Sequence, residues 1–225
     1  MAEPPAATRA GVVVSEQDAL LATKLHVPRP QPGFVPRPRL AGALREGLAR
    51  GLVVVCAPAG FGKTALLADW AGSGRRPVAW LSLDAGDNDP ARFWRHAVAA
   101  LDRACPGIGE RAGPLLGPPP PSSFEALVTA VINELAARPG DEEVLLVLDD
   151  YHLIDAQPVH AAVTFLLEHL PPGLHLVLAS RAGRLTAAAA AAAGGLGPAQ
   201  RPRGGGREPA GCRRARAGGR SGGGR

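Results

Sequence analysis

Four largely apolar runs recur along the chain, at 52–56, 77–83, 144–148 and 174–179. The first and third are apolar at every position, which suits strands covered on both faces of a parallel sheet. Between the runs the apolar spacing changes to three and four, at 91–101, 124–137 and 159–170, and predicts helices. Residues 65–70 (Ala-Leu-Leu-Ala-Asp-Trp) read as the opening of another helix. Ser122 or Ser123 is the expected cap of the 124–137 helix. Residues 84–89 form a turn that ends in Asp89-Pro90, and 114–121 form a stiff, proline-rich loop. Phe93 and Trp94 belong to the core by their place on the apolar face. Strands alternating with helices predict an α/β domain with a parallel sheet flanked by crossover helices.

Beyond residue 181 the pattern stops. Residues 182–225 hold thirteen Gly, nine Arg and one acid, Glu208, a net charge of +8 against +5 for the whole chain. Residues 1–181 therefore carry −3, and the sequence pI of about 9.8 belongs to the tail. Such a segment buries too little apolar surface to offset its ordering entropy and is expected to be disordered. The expected organisation is a flexible stretch at 1–19, a folded domain at 20–181 and the tail at 182–225. The tail has three readings: solvated charge, sequence-independent attraction to nucleic acid, or out-of-frame translation of a GC-rich gene. It has no aromatic residue for base stacking, which speaks against a dedicated single-strand binder.

The chemistry sits between the first run and the helix behind it. Ala57-Pro58-Ala59-Gly60-Phe61-Gly62-Lys63-Thr64 joins them, in the order strand, glycine-bearing loop, Lys-Thr, helix. This is the phosphate-binding loop pattern of P-loop proteins. Gly60 and Gly62 allow the backbone to curl so that successive N–H groups face one concavity. The following helix adds the positive end of its dipole. Lys63 would reach the β and γ phosphates, and the Thr64 hydroxyl would ligate Mg²⁺. The pattern's first glycine is Ala57 here, which serves if its φ stays negative. An ordinary glycine-rich turn is the plain alternative.

The third run ends in Asp149-Asp150. In parallel sheets ligands lie beyond the carboxyl ends of the strands, where a carboxylate can hold Mg²⁺ or orient water. The competing reading is that the two acids cap the next segment. A phosphate loop upstream favours the metal.

Four separated segments resemble one family. They are 21–30 (Leu-Ala-Thr-Lys-Leu-His-Val-Pro-Arg-Pro), the loop 57–64, 146–154 (Leu-Val-Leu-Asp-Asp-Tyr-His-Leu-Ile) and 176–181 (Leu-Val-Leu-Ala-Ser-Arg). Together they are similar to the nucleotide-binding domain of large, ATP-dependent LuxR-type transcription regulators of the maltose-regulator kind. These are STAND-class, AAA-like P-loop ATPases, and the similarity spans about residues 20–181. It implies an ATP/ADP switch with Mg²⁺. Gly60, Phe61, Gly62, Lys63, Thr64 and Arg181 would contact nucleotide, and Thr64 and Asp149 the metal. Asp150 would stand where related ATPases keep the acid that activates water. Arg181 would act as sensor of the third phosphate; a solvated strand-end charge is its bland alternative. Residues 35–40 match a leading segment that lies near adenine in the family, or form a rigid linker. In the family a fifth strand, a winged helix, helical repeats and a helix-turn-helix follow, and intact relatives bind DNA and self-associate. None of those domains is legible after residue 181. The resemblance thus implies a sheet lacking its last strand, with 52–56 at an open edge. It also implies slow hydrolysis or none, and no specific DNA binding.

The remaining features narrow the classes. No apolar run approaches the roughly twenty residues of a membrane span, and the first fourteen residues lack a convincing signal sequence. Cys56, Cys105 and Cys212 have neither metal nor disulfide spacing, which fits a reducing cytoplasm. Cys56 is expected to be a buried strand residue. The histidines form no zinc-type pair. Three classes stay open: a nucleotide switch module of a transcription regulator, a free-standing P-loop ATPase or kinase, and a nonfunctional truncated product. A small-molecule kinase should add an arginine-rich lid, which 85–121 does not supply.

Overall fold

Strand residues of even and odd number face two different cores. In the computed structural model, which describes residues 20–74, 76–117, 123–138 and 142–181, the strands are β1 (Leu52–Cys56), β2 (Val78–Ser82), β3 (Val144–Asp149) and β4 (Leu174–Ser180). All neighbours are parallel, in the order β1-β4-β3-β2. Leu52, Leu81, Leu146, Leu148, Leu176 and Leu178 point into one core, and Val53, Trp80, Leu145, Val147, Val177 and Ala179 into the other. Period-two geometry forces this division. Because both faces are covered, β3 is buried at every position.

The helices cover the two faces unequally. Helices α1 (Pro38–Leu48) and α2 (Lys63–Gly72) close the second core through Leu44, Leu48, Leu66, Leu67 and Trp70. Helices α3 (Pro90–Ala104), α4 (Ile108–Ala112), α5 (Glu125–Ala136) and α6 (Gln157–Glu168) close the first. Phe93 and Trp94 are fully buried there and meet edge to face, with ring centroids 5.3 Å apart. Burying each such side chain contributes about 1.5–3 kcal/mol. The expected parallel α/β sheet with flanking helices is the observed architecture.

Several local expectations need correction. Helix α1 arises where only a stiff leading segment or linker was expected: Pro38 occupies its first position, where the missing N–H costs nothing. Helix α5 has Phe124 as its N-cap, with no side-chain cap; Ser123 Oγ instead accepts the Glu125 N–H at 3.2 Å. Ser122 lies outside the described residues. Helix α6 begins at Gln157, two residues early, because Pro158 is tolerated in a first turn. Within the proline-rich stretch, Gly113–Leu116 is a 3₁₀ turn, and 118–122 are outside the described residues. Cys56 is exposed rather than buried. It is the last residue of β1, and β1 has a neighbour on one side only among the described residues. The flexible N-terminus and the basic tail expected at 1–19 and 182–225 also lie outside the described residues.

The opposite edge of the sheet is covered by the segment before α1. The 3₁₀ turn Ala22–Leu25 packs beside β2. There Lys24 Nζ donates to the fully buried Asp87 carboxylate and lies 3.1 Å from Asp84. His96 Nδ1 stands 3.4 Å from the other Asp87 oxygen, and His96 Nε2 accepts the Leu21 N–H at 3.4 Å. Burial alone would raise the Asp87 pKa. Hydrogen bonds from His96, Lys24 and the Asp84 backbone outweigh it, and the carboxyl is pulled down to about 2.

Candidate functional site

Beyond Cys56 the chain turns through Ala57–Gly62 and enters α2 at Lys63, with no residue to spare. Gly60 and Gly62 make that turn, with φ of +78° and +74°. Either position would strain any side chain. Gly62 is also the helix N-cap, and its carbonyl accepts the Leu66 N–H at 2.9 Å. Asp150 is the one non-glycine residue with positive φ among those described, so Ala57 keeps the negative φ its side chain requires. A Cβ built on Gly60 meets nothing within 4 Å, so the loop surrounds open space and not a packed neighbour.

Lys63 and Thr64 leave the first turn of α2 in different directions. Lys63 is 8% exposed, and its Nζ donates to the carbonyls of Ala57 (3.0 Å) and Pro58 (3.2 Å). The ammonium is thus held inside the loop's own curve. Thr64 Oγ1 donates to Asp149 Oδ2 at 2.7 Å, while the other Asp149 oxygen accepts the Asp150 N–H at 3.1 Å. Burial pushes the Asp149 carboxyl upward, and the nearby Asp150 charge adds to this. The Thr64 bond, the Asp150 N–H and Lys63 act in the opposite sense. Strand order explains the meeting: β4 alone separates β1 from β3, so the start of α2 lies over the end of β3.

Asp150 does not join that group. It sits in the left-handed region (φ 59°, ψ 34°), which aspartate tolerates better than most residues. Its Oδ1 is 3.7 Å from His152 Nδ1. The turn that holds it is pinned from behind. Tyr151 Oη and His160 Nδ1 are hydrogen-bonded at 2.9 Å in the buried interior. Asn88 Oδ1 accepts the N–H groups of Asp155 and Ala156, while its Nδ2 donates to Leu153 O at 2.9 Å. Burial raises the Tyr151 pKa and lowers that of His160, so this pair is neutral at ordinary pH.

Arg181 follows β4 directly and is exposed. Cys56 and Ser180 are register partners, and the Ala57 N–H reaches Ser180 O at 3.4 Å. The backbone therefore delivers Arg181 beside the first residue of the loop. Phe61 stands 60% exposed at the loop tip. Its carbonyl accepts from Arg37 Nη1 at 3.1 Å. Reading 35–40 as a linker or a base neighbour missed this contact. A lone arginine before a helix carries no mark of the loop it will touch. Asn88 was missed for the same reason.

No ligand is needed to see what the donor set suits. The curled loop, its buried ammonium and the α2 N-terminus form an anion cradle. Two hard oxygens, from Thr64 and Asp149, lie side by side as a magnesium ion prefers. Among the described residues no three His, Cys, Asp or Glu side chains gather as a metal site of another kind.

The family model described as AAA domain matches residues 47–181. The chain is 37% identical over 162 residues to the HTH-type transcriptional regulator MalT of Cronobacter sakazakii, covering 72% of this chain and 18% of that protein. MalT of Vibrio cholerae is 35% identical over 161 residues, with the same coverage. MalT of Serratia proteamaculans is 38% identical over 162 residues, again covering 72% and 18%. The chain thus spans about a fifth of the length of these curated relatives. A Walker-type ATPase of Pyrococcus abyssi superposes with a TM-score of 0.43 at 15% identity, over 68% of this chain and 47% of that one.

Proposed function

This chain belongs to the AAA domain family, and from that premise we propose that residues 20–181 are the ATP/ADP-binding switch domain of a MalT-type transcription regulator. The observation that carries the reading is the Thr64–Asp149 hydrogen bond beside the buried Lys63. In this reading Gly60, Phe61, Gly62, Lys63 and Thr64 receive the phosphates, and Arg181 senses the third. Thr64 and Asp149 hold Mg²⁺, which neutralises phosphate charge when bound. Asp150 orients water. Its exposed carboxylate and the short reach of aspartate support slow hydrolysis. The relatives named as transcriptional regulators support a signalling role over a metabolic kinase.

Nucleotide is the partner proposed for these residues, and a cytoplasmic location belongs to the same reading. No helix among the described residues is long and apolar enough to cross a membrane. Sequence-specific DNA binding is not assigned to residues 20–181. Any attraction of the chain to DNA is assigned to the +8 tail.

The test is a calorimetric titration of the full chain with MgADP and MgATP. Saturable binding is expected for the wild type and none for Lys63→Ala, because the phosphates lose their buried counter-charge. Equal affinity in the two proteins would overturn the reading.

A further inference from the structure

The end of the sheet opposite the phosphate loop carries a second concavity. It has a volume of about 360 Å³ and opens where α1 and α2 end and where β2 and β3 begin. Helix α2 separates it from Lys63 by its ten residues, about 15 Å. Leu48, Val78 and Leu145 give it apolar lining. Arg45, Arg76 and Trp70 also line it.

The polar lining groups are differently committed, and Ser73 Oγ is spent on the Trp70 carbonyl at 2.7 Å. Arg76 donates to Glu143, and that bond holds the glutamate below its ordinary pKa. Arg45 is exposed and makes no hydrogen bond or ion pair with any described residue. Compensation of the α1 dipole explains a cation in the last turn of that helix. It does not explain a cavity beside that cation. Trp70 is 6% exposed and lines the cavity, and its indole N–H makes no hydrogen bond with any described residue. Buried indoles ordinarily find an acceptor, and here no described residue supplies one.

We propose that this cavity binds a small organic anion: one carboxylate on a flat apolar body. Arg45 supplies a charge with no carboxylate partner among the described residues, since Arg76 and Glu143 pair with each other. The Trp70 N–H supplies a directed donor, and the carboxylate accepts from both. The apolar body replaces water over Leu48, Val78 and Leu145. An inorganic anion would gain nothing from the apolar side chains. The volume lies within the range of small-molecule sites. This inference is independent of the nucleotide reading.

The experiment titrates the full chain with 2-naphthoate, following tryptophan fluorescence and heat. A saturable one-to-one isotherm is expected, with a fluorescence change that disappears in Trp70→Phe. Arg45→Gln should weaken binding about tenfold or more, the usual effect of losing a charge-assisted bond. The neutral 2-naphthylmethanol should bind the wild type about as weakly as 2-naphthoate binds Arg45→Gln. Arg45 is exposed, so that variant tests the site without disturbing the core. Non-saturable binding would overturn the proposal. So would equal 2-naphthoate affinity in the wild type and Arg45→Gln.

Discussion

Thr64 and Asp149 lie 85 residues apart in sequence and 2.7 Å apart through their side-chain oxygens. The contact ties the first turn of α2 to the carboxyl end of β3. It removes the hydroxyl and one carboxylate lone pair from solvent together. Losing it would leave a buried acceptor unpaired, at a cost of about 1–3 kcal/mol.

Thr64→Val keeps the shape of the side chain and deletes its oxygen. The Mg²⁺ enhancement of nucleotide affinity should fall about tenfold or more, while Thr64→Ser retains it. Titrations with and without Mg²⁺ measure this. An unchanged enhancement in Thr64→Val would remove the metal role from this residue.

Asp150 separates backbone need from chemistry. Asparagine also tolerates the left-handed conformation, so Asp150→Asn should fold and bind nucleotide within about twofold of wild type. Phosphate release should be well below the typical enzyme rate of about 10 per second in the wild type, and lower by about tenfold or more in the variant. Turnover near 10 per second, or no loss in Asp150→Asn, would exclude the role given to it.

Asp87 predicts an acid limit to stability. Its carboxyl lies at about 2 in the folded chain, against about 3.9 when unfolded. A depressed pKa contributes stability that is fully present above the unfolded value. It is lost as pH falls from about 4 to about 2, and amounts to about 2–3 kcal/mol. Lys24→Met should weaken this dependence, leaving the parts due to His96 and the Asp84 N–H, and destabilise the fold by about 3–5 kcal/mol, since Asp87 would be buried without its lysine. Urea denaturation at several pH values reads both effects.

Truncation after Arg181 should abolish any DNA retention by the chain, because it removes the +8 segment. Retention before truncation should be independent of sequence and of ATP, and should fall steeply with salt. A gel shift at physiological salt with competitor DNA decides this. Sequence-selective, ATP-responsive binding would place a regulatory output within these residues.

What the sequence determined by itself was local or periodic. Apolar runs define β1 and β3 because a doubly covered strand has no polar face to show. The glycines at 60 and 62 mark their turn because only glycine enters that conformation freely, and the Gly-Lys-Thr order fixes which helix faces the loop. Tertiary structure decided everything that depends on two distant segments meeting. Strand order brought Asp149 to Thr64 and left Asp150 turned toward His152. It put Cys56 at an uncovered strand end, although its neighbours read as buried. Packing drew Arg37 onto the Phe61 carbonyl, placed Asn88 behind the β3 turn, and sealed Lys24 against Asp87. Each is a polar side chain satisfying a partner 24 or more residues away. Residue type records that such a group needs a partner when buried, but only the assembled fold selects which one.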